Sequence, residues 1–269
     1  MDNRPIGVFD SGVGGLTVVN ALVQSTSSET IYYVGDTARV PYGNKSRKRI
    51  QQYSEEIIDW LIKKDCKMVI VACNTASSLA IDYLQKKFSL PIIGVIDPGV
   101  QLAISRTKSQ SIGVTGTHAT IESNAYGEKL KFVKPKINII NQPCPLFVPL
   151  VEEGLTKGPI TKSIVESYLS HFKNTDVDTL ILGCTHYPIL AAVIKEVVGK
   201  NISLIDSGKA TAEVVIKILN KNGLRSKDSN GGVYSFVTDS KESFQKVITK
   251  AMTPEINISI KSINRIDIG

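Results

Sequence analysis

Two cysteines stand where a parallel sheet exposes side chains to a ligand. Residues 68–75 read MVIVACNT and residues 179–186 read TLILGCTH. Each is an apolar strand, then Ala or Gly, then Cys, then a small polar residue, then a helix start. Ligands of open parallel sheets bind outside the carboxyl ends of the strands, and Cys73 and Cys184 fall at such ends. Helix N-termini add unpaired N–H groups and a positive dipole end. That setting draws a thiol pKa from about 8.5 toward neutrality and cradles an anion such as a carboxylate. Asn74 and Thr75 after the first cysteine, and Thr185 and His186 after the second, add side-chain donors. A cysteine ending an apolar strand is ordinarily a small buried hydrophobe; two in matching positions make a functional pair the better account. Cys66 and Cys144 lack this setting and read as structural, the second between Pro143 and Pro145 in a rigid loop.

Other residues could join them. Asp10-Ser11-Gly12-Val13-Gly14-Gly15 follows the first strand and precedes a helix. It has Thr17 where a dinucleotide fingerprint needs a third glycine, and no Walker lysine follows. Its glycines permit a tight turn and close approach of a ligand to the backbone. Asp10 either points at the mouth of the sheet or caps the helix. GDTARVPYG (35–43) follows the second strand, and its Pro-Tyr-Gly turn lines the same crevice or is a surface turn. His186 lies two residues past Cys184, and Glu152 sits in the Pro-rich CPLFVPLVEEG. Cys, His and a carboxylate could instead form a thiol hydrolase or a zinc site. Zinc finds no CxxC or HxxxH pair, and a hydrolase needs only one cysteine, leaving the duplication unexplained.

The elements that must position these groups alternate regularly. Short Ile/Val-rich runs occur at 6–9, 31–34, 68–72, 91–95, 111–115, 137–140, 179–183 and 202–205. They are apolar on both faces, as strands between helix layers must be. Helical segments lie between them: 46–64, a stripe of Leu79, Tyr83, Leu84 and Phe88, and another of Leu190, Val193, Ile194, Val197 and Val198. Pro188 suits a first helical position in the last of these. Residues 233–237 and 256–266 read as late strands, the second half-buried through alternating Ile256, Ile258 and Ile260. Strand–helix alternation predicts an α/β fold with mainly parallel sheets.

The two Cys motifs are also an internal repeat. Ile6-Gly7-Val8 recurs as Ile112-Gly113-Val114, so two similar α/β units each offer one cysteine at the same place. The boundaries are set at Asp97-Pro98-Gly99 and Asp206-Ser207-Gly208. Residues 1–97 plus 208–269 then form the first domain and 98–207 the second.

Composition excludes several classes. Of 269 residues, 42% are apolar and 21% charged, too apolar for a disordered chain. Four cysteines exclude a disulfide-dense secreted scaffold. No stretch approaches the ~18 unbroken apolar residues of a membrane span, and the N-terminus has no apolar core of signal-peptide length, so cytoplasmic localisation is expected. The net charge of +7 invites a nucleic-acid reading. Its densest run, Lys45, Arg47, Lys48 and Arg49, has no interleaved aromatics and reads as a solvated helix face.

Six landmarks in order carry a resemblance over nearly the whole chain. They are IGVFDSGVGGLTV (6–18), GDTARVPYG (35–43), VACNTAS (71–77), GVTGTHATIES (113–123), CPLFVPLVEEG (144–154) and LGCTHYP (182–188). The chain resembles the glutamate racemases of the cofactor-independent aspartate/glutamate racemase superfamily. The resemblance implies two pseudosymmetric three-layer α/β domains with the active site in the cleft between them. It implies interconversion of L- and D-glutamate for peptidoglycan synthesis, with no pyridoxal phosphate and no metal, in a homodimer that binds neither nucleic acid nor membrane. It maps the two catalytic thiols onto Cys73 and Cys184. Substrate contacts map onto Asp10, Ser11, Tyr42, Gly43, Asn74, Thr75, Thr185 and His186, with Thr117 as an extra contact. Asp10, Glu152 and His186 are expected to assist proton transfer. One departure is Asp97 in VIDPG, where the family usually carries Glu. The residues after about 225 match no strong motif.

Overall fold

Strands that are apolar on both faces need a helix layer on each side, and the chain folds into two such sandwiches. The computed structural model describes residues 1–227, 231–251 and 258–268. The chain opens with β1 (Ile6–Asp10), α1 (Leu16–Ser25), β2 (Ile31–Gly35), α2 (Arg47–Lys63), β3 (Met68–Val71), α3 (Asn74–Lys87) and β4 (Ile92–Gly94). It continues through α4 (Ile96–Arg106), β5 (Ser111–Gly116), α5 (His118–Glu122), α6 (Ala125–Val133), β6 (Asn138–Pro143) and α7 (Phe147–Glu152). Then come α8 (Pro159–Leu169), β7 (Thr179–Gly183), α9 (Ala191–Val198) and β8 (Ser203–Asp206). The last described elements are α10 (Ser207–Lys221), β9 (Val233–Val237), α11 (Lys241–Ala251) and β10 (Ile260–Arg265).

The first sheet has the order β10-β9-β2-β1-β3-β4 and the second β6-β5-β7-β8. Every strand pairing among the described residues is parallel. Strand alternation sorts the core of the first sheet. Ile6, Val8, Ile31 and Ile70 pack toward α1 and α10, whereas Phe9, Val34, Val69 and Val71 pack toward α2 and α3. In the second, Leu180 and Leu182 face Leu169 and Ile194, while Ile112, Val114 and Ile181 face α4 and α6 through Val100 and Leu130. Each sheet is thus the middle of three layers, and the fold class is the α/β one the sequence predicts.

The chain leaves the first sheet after β4 and returns to it as β9, which pairs with β2. The two boundary motifs are not loops. Asp97-Pro98-Gly99 lies in the first turn of α4, where a missing proline N–H is tolerated. Asp206 caps α10, its Oδ1 accepting from the N–H groups of Gly208 at 2.8 Å and Lys209 at 3.3 Å. Pro188 falls in a short 3-10 turn, Tyr187–Leu190, that precedes α9 rather than in α9 itself. Arg47, Lys48 and Arg49 are exposed on the first turn of α2, which Ser46 caps. The late strand appears as β10 with Ile258 and Ile260 half-buried; Ile256 lies outside the described residues. No described helix is long and apolar enough to cross a membrane.

Candidate active site

The carboxyl ends of β1, β3, β5 and β7 carry Asp10, Cys73, Thr117 and Cys184 respectively or lead directly into them. The two sulfur-bearing residues come from different sheets yet line one cavity of about 40 Å³. Ser11, Tyr42, Gly43, Asn74 and Thr75 border it from the first sheet's side. Thr117, Thr185 and His186 border it from the second's. Val40, Pro41 and Val148 add apolar lining. Asp10 and Glu152 do not line the cavity; each stands behind a residue that does. Cys66, Cys144 and Asp97 are also outside its lining. Asp97 is 61% exposed and pairs with Lys129 at 2.7 Å.

The two cysteine settings differ more than the repeat implies. Cys73 is the N-cap of α3, and its sulfur accepts from the Ala76 N–H at 3.5 Å. Its S–H points to Ser11 Oγ at 3.9 Å. Cys184 lies in a bend that leads through a turn into the 3-10 turn, so no α-helix begins there. Its sulfur instead lies 3.8 Å from His186 Nδ1, and His186 Nε2 lies 3.1 Å from Glu152 Oε1. The helix start at Cys73 does not draw that thiol toward neutrality. Burial, and then the nearby Asp10 carboxylate, push it up to about 12, against the Ala76 N–H. Removal from water here outweighs one backbone donor. Burial works against a charged His186, but its bonds to Cys184 and Glu152 win and push it up to about 10. That direction favours the protonated ring, the form in which both ring nitrogens carry a hydrogen.

Asp10 is fully buried. Its Oδ2 accepts from the Gly12 N–H at 3.0 Å, and its Oδ1 accepts from the Thr185 hydroxyl at 3.2 Å. It also accepts from the backbone N–H of Gly15, the N-cap residue of α1, so it serves the helix start while standing at the carboxyl end of β1. Burial raises its pKa, with His186 and its hydrogen-bond donors opposing. The glycines of this loop also serve differently from expectation. A Cβ on Gly14 would lie 2.3 Å from Thr185 Oγ1 and 2.4 Å from His186 Nδ1. At Gly14 the close approach is of the second sheet's side chains.

Tyr42 is held by its hydroxyl donating to buried Asp36, which also pairs with Arg39 at 2.7 Å and accepts from the Thr238 hydroxyl at 2.8 Å. Thr238 follows β9, so the returning segment braces the 35–43 loop. Thr75 and Thr117 form a ring of hydroxyls with Thr120, at 3.1–3.2 Å. Asp36 and Thr120 stand inside quoted landmarks, but one-dimensional spacing cannot show that their side chains turn inward. Asn74 donates to Tyr126, 2.8 Å away, a residue that no local pattern marks. Among the described residues no group of three or more His, Cys, Asp or Glu could hold a metal ion.

The fold that brings these two thiols to one small cavity has known counterparts. The Asp/Glu/hydantoin racemase family model matches residues 6–215, and the chain belongs to that family. It is an amino-acid racemase, an isomerase. Among its relatives, a glutamate racemase from Geobacter metallireducens is 44% identical over 245 residues, covering 91% of both chains. The crystal structure of glutamate racemase isoform RacE1 from Bacillus anthracis superposes with a TM-score of 0.93 at 36% identity, covering 99% of this chain and 98% of that one. Glutamate racemase from Francisella tularensis in complex with D-glutamate gives 0.90 at 37% identity, with 99% and 98% covered.

Proposed function

We propose that the protein interconverts L- and D-glutamate by moving the Cα proton between two opposed sulfur groups. One observation carries this reading: Cys73 and Cys184, from the ends of β3 and β7, border the same cavity. Inverting a carbon means taking a proton from one face and delivering one to the other. A single base would have to cross the carbon; two facing bases avoid that. One thiolate removes the α-proton, leaving the electron pair on Cα and its carboxylate. The opposing thiol then gives its proton to the other face, and the two sulfurs have exchanged states.

Each sulfur has its own charged neighbour. Asp10 behind Cys73 favours the protonated thiol there. His186 faces the sulfur of Cys184 with Nδ1, and Glu152 fixes the ring from the other side. Glu152 is 34% exposed and offers a route for proton exchange with water. Asn74, Thr75, Thr117 and Thr185, with Ser11 and the Tyr42-Gly43 turn, supply the donors that hold the substrate carboxylates and spread the developing charge. The units 1–97 plus 208–269 and 98–207 act as the two walls of the cleft, and their approach excludes water. The thiols need no pyridoxal phosphate and no metal. The working form is a cytoplasmic homodimer, for which exposed Phe132 and Ile160, at 89% and 62%, offer apolar surface to cover. Its D-glutamate supplies peptidoglycan synthesis.

Racemisation of either enantiomer, followed by circular dichroism without added cofactor, tests the activity. Cys73→Ala and Cys184→Ala each abolish it while leaving the far-ultraviolet spectrum unchanged. In deuterated solvent the first product from either enantiomer carries deuterium at Cα. A product that keeps its proton, or a single-cysteine variant of parental speed, sinks the two-base reading. Activity surviving exhaustive chelation and carbonyl reagents, rescue of a D-glutamate auxotroph, and a dimeric mass by light scattering test the remaining parts.

A further inference from the structure

The two boundary motifs meet behind the cavity, and a buried tyrosine joins them to it. Tyr126 on α6 is 2% exposed. Its phenol oxygen accepts from Asn74 Nδ2 at 2.8 Å and lies 3.1 Å from Ser207 Oγ. The three residues belong to α3, α6 and the start of α10, so this oxygen is a junction between segments packed on different sheets. Space for it is made by glycine. A Cβ on Gly99 would lie 2.7 Å from Ser207 Oγ, and one on Gly183 would lie 3.2 Å from Tyr126 Cε2.

The hydrogen count fixes the direction of the Asn74 bond. The Asn74 amide nitrogen can only donate, so Tyr126 accepts there. In the bond to Ser207 either hydroxyl can donate. Burial keeps Tyr126 protonated, up to about 12, so the arrangement persists across the working pH range. An amide left alone can present either its oxygen or its nitrogen to a ligand; anchoring one N–H removes that choice.

We propose that Tyr126 is a positioning residue of the racemase: it locks the Asn74 side-chain amide in one orientation, with the second N–H kept as donor for a substrate carboxylate. This rests on the functional reading above, in which Asn74 contacts glutamate. Tyr126 touches no substrate and acts through Asn74, so its effect depends on Asn74 being present.

Tyr126→Phe keeps the ring and removes the acceptor. We expect kcat/KM for both enantiomers to fall about tenfold, the worth of one buried hydrogen bond, through KM, with kcat within about twofold. In an Asn74→Ala background the same change has less than about a twofold effect, because coupled residues are not additive. A full tenfold loss in that background, or an unchanged KM in Tyr126→Phe alone, overturns the proposal. If Tyr126→Phe does not fold, Ser207→Ala decides in its place: KM rises about threefold, and only when Asn74 is present, or the proposal fails. A second readout needs no turnover. In ligand-free wild type, one side-chain N–H of Asn74, assigned by its loss in Asn74→Ala, exchanges slowly by NMR, and either substitution removes that protection. Absence of protection in wild type overturns the proposal even if racemisation is normal. Protection without racemisation of glutamate refutes the functional reading alone.

Discussion

Gly14→Ala is the smallest change with a large expected consequence. The added carbon would sit 2.3 Å from Thr185 Oγ1, 2.4 Å from His186 Nδ1 and 2.7 Å from His186 Cε1, where ordinary contact begins near 3.4 Å. Something must therefore retreat by about 1 Å. Neither neighbour is a loose end. The Thr185 hydroxyl donates to Asp10, and His186 is held between Cys184 and Glu152. The loop cannot easily retreat instead, because the Thr17 hydroxyl bonds both the Gly14 carbonyl at 2.9 Å and the Thr185 carbonyl at 3.1 Å. Overpacking of this kind costs about 1–3 kcal/mol of stability. A shift of about 1 Å beside the reacting atoms lowers the rate roughly 100-fold. Urea unfolding reads the first and a circular-dichroism time course with L-glutamate the second. Gly12→Ala is the control, since its Cβ would meet nothing nearer than Glu152 Oε1 at 3.8 Å. A Gly14→Ala enzyme within about twofold of wild type in kcat/KM and unchanged in stability would refute the packing argument.

Other outcomes follow from buried charge. His186 holds its proton more tightly in the native protein, up to about 10, than at its ordinary 6.5. Its contribution is therefore complete below pH 6.5 and is lost as pH rises through 10, at no more than about 1.4 kcal/mol per pH unit. Subtracting urea stabilities of His186→Gln from wild type across that window isolates the slope, and a difference that is flat or rises with pH contradicts it. Lys67 and Glu29, both fully buried, pair at 2.5 Å, with Lys67 also donating to the carbonyls of Asp2 and Leu224. Lys67→Met leaves an unpaired buried carboxylate and costs about 3–5 kcal/mol. Adding Glu29→Gln recovers part of that, and a urea midpoint unmoved by the single change would deny the pair its role.

The sheets were legible because parallel strands buried on both faces leave an unambiguous apolar signature; β1 to β5 and β7 fall within a residue or two of their runs. Cys73, Cys184 and the small polar residues beside them were legible for a related reason, since a strand end followed by polar residues is itself a pattern. The helix starts at Ile96 and Ser207 were hidden by Pro98, Gly99 and Gly208, which read as breaks but are compatible with a first helical turn. The high pKa of Cys73 was also hidden. It depends on how much water the fold removes and on Asp10 from another strand, and neither is a property of the local motif. Tyr126, Ser207, Asp36 and Thr120 were missed as positioning groups for a similar reason. Each acts through a partner distant in sequence or through a side-chain direction that only packing decides.

The internal repeat explains why two sulfurs reach one cavity, but not why they should work as a pair. Identical surroundings would give both the same protonation state, and two thiols or two thiolates cannot pass a proton across a carbon. The symmetry has to be broken by the neighbours. At Cys73 burial and then the Asp10 carboxylate oppose ionisation. At Cys184 the neighbour is His186, whose bonds to Cys184 and Glu152 favour the charged ring. In the proposed two-base reading, unlike groups beside the two sulfurs are the simplest way to make two like acids differ. Asp10 and His186 also touch common ground, because Thr185 bonds Asp10 and adjoins His186 in sequence. The charge difference is therefore set within one connected group of residues and is completed only where the two units meet.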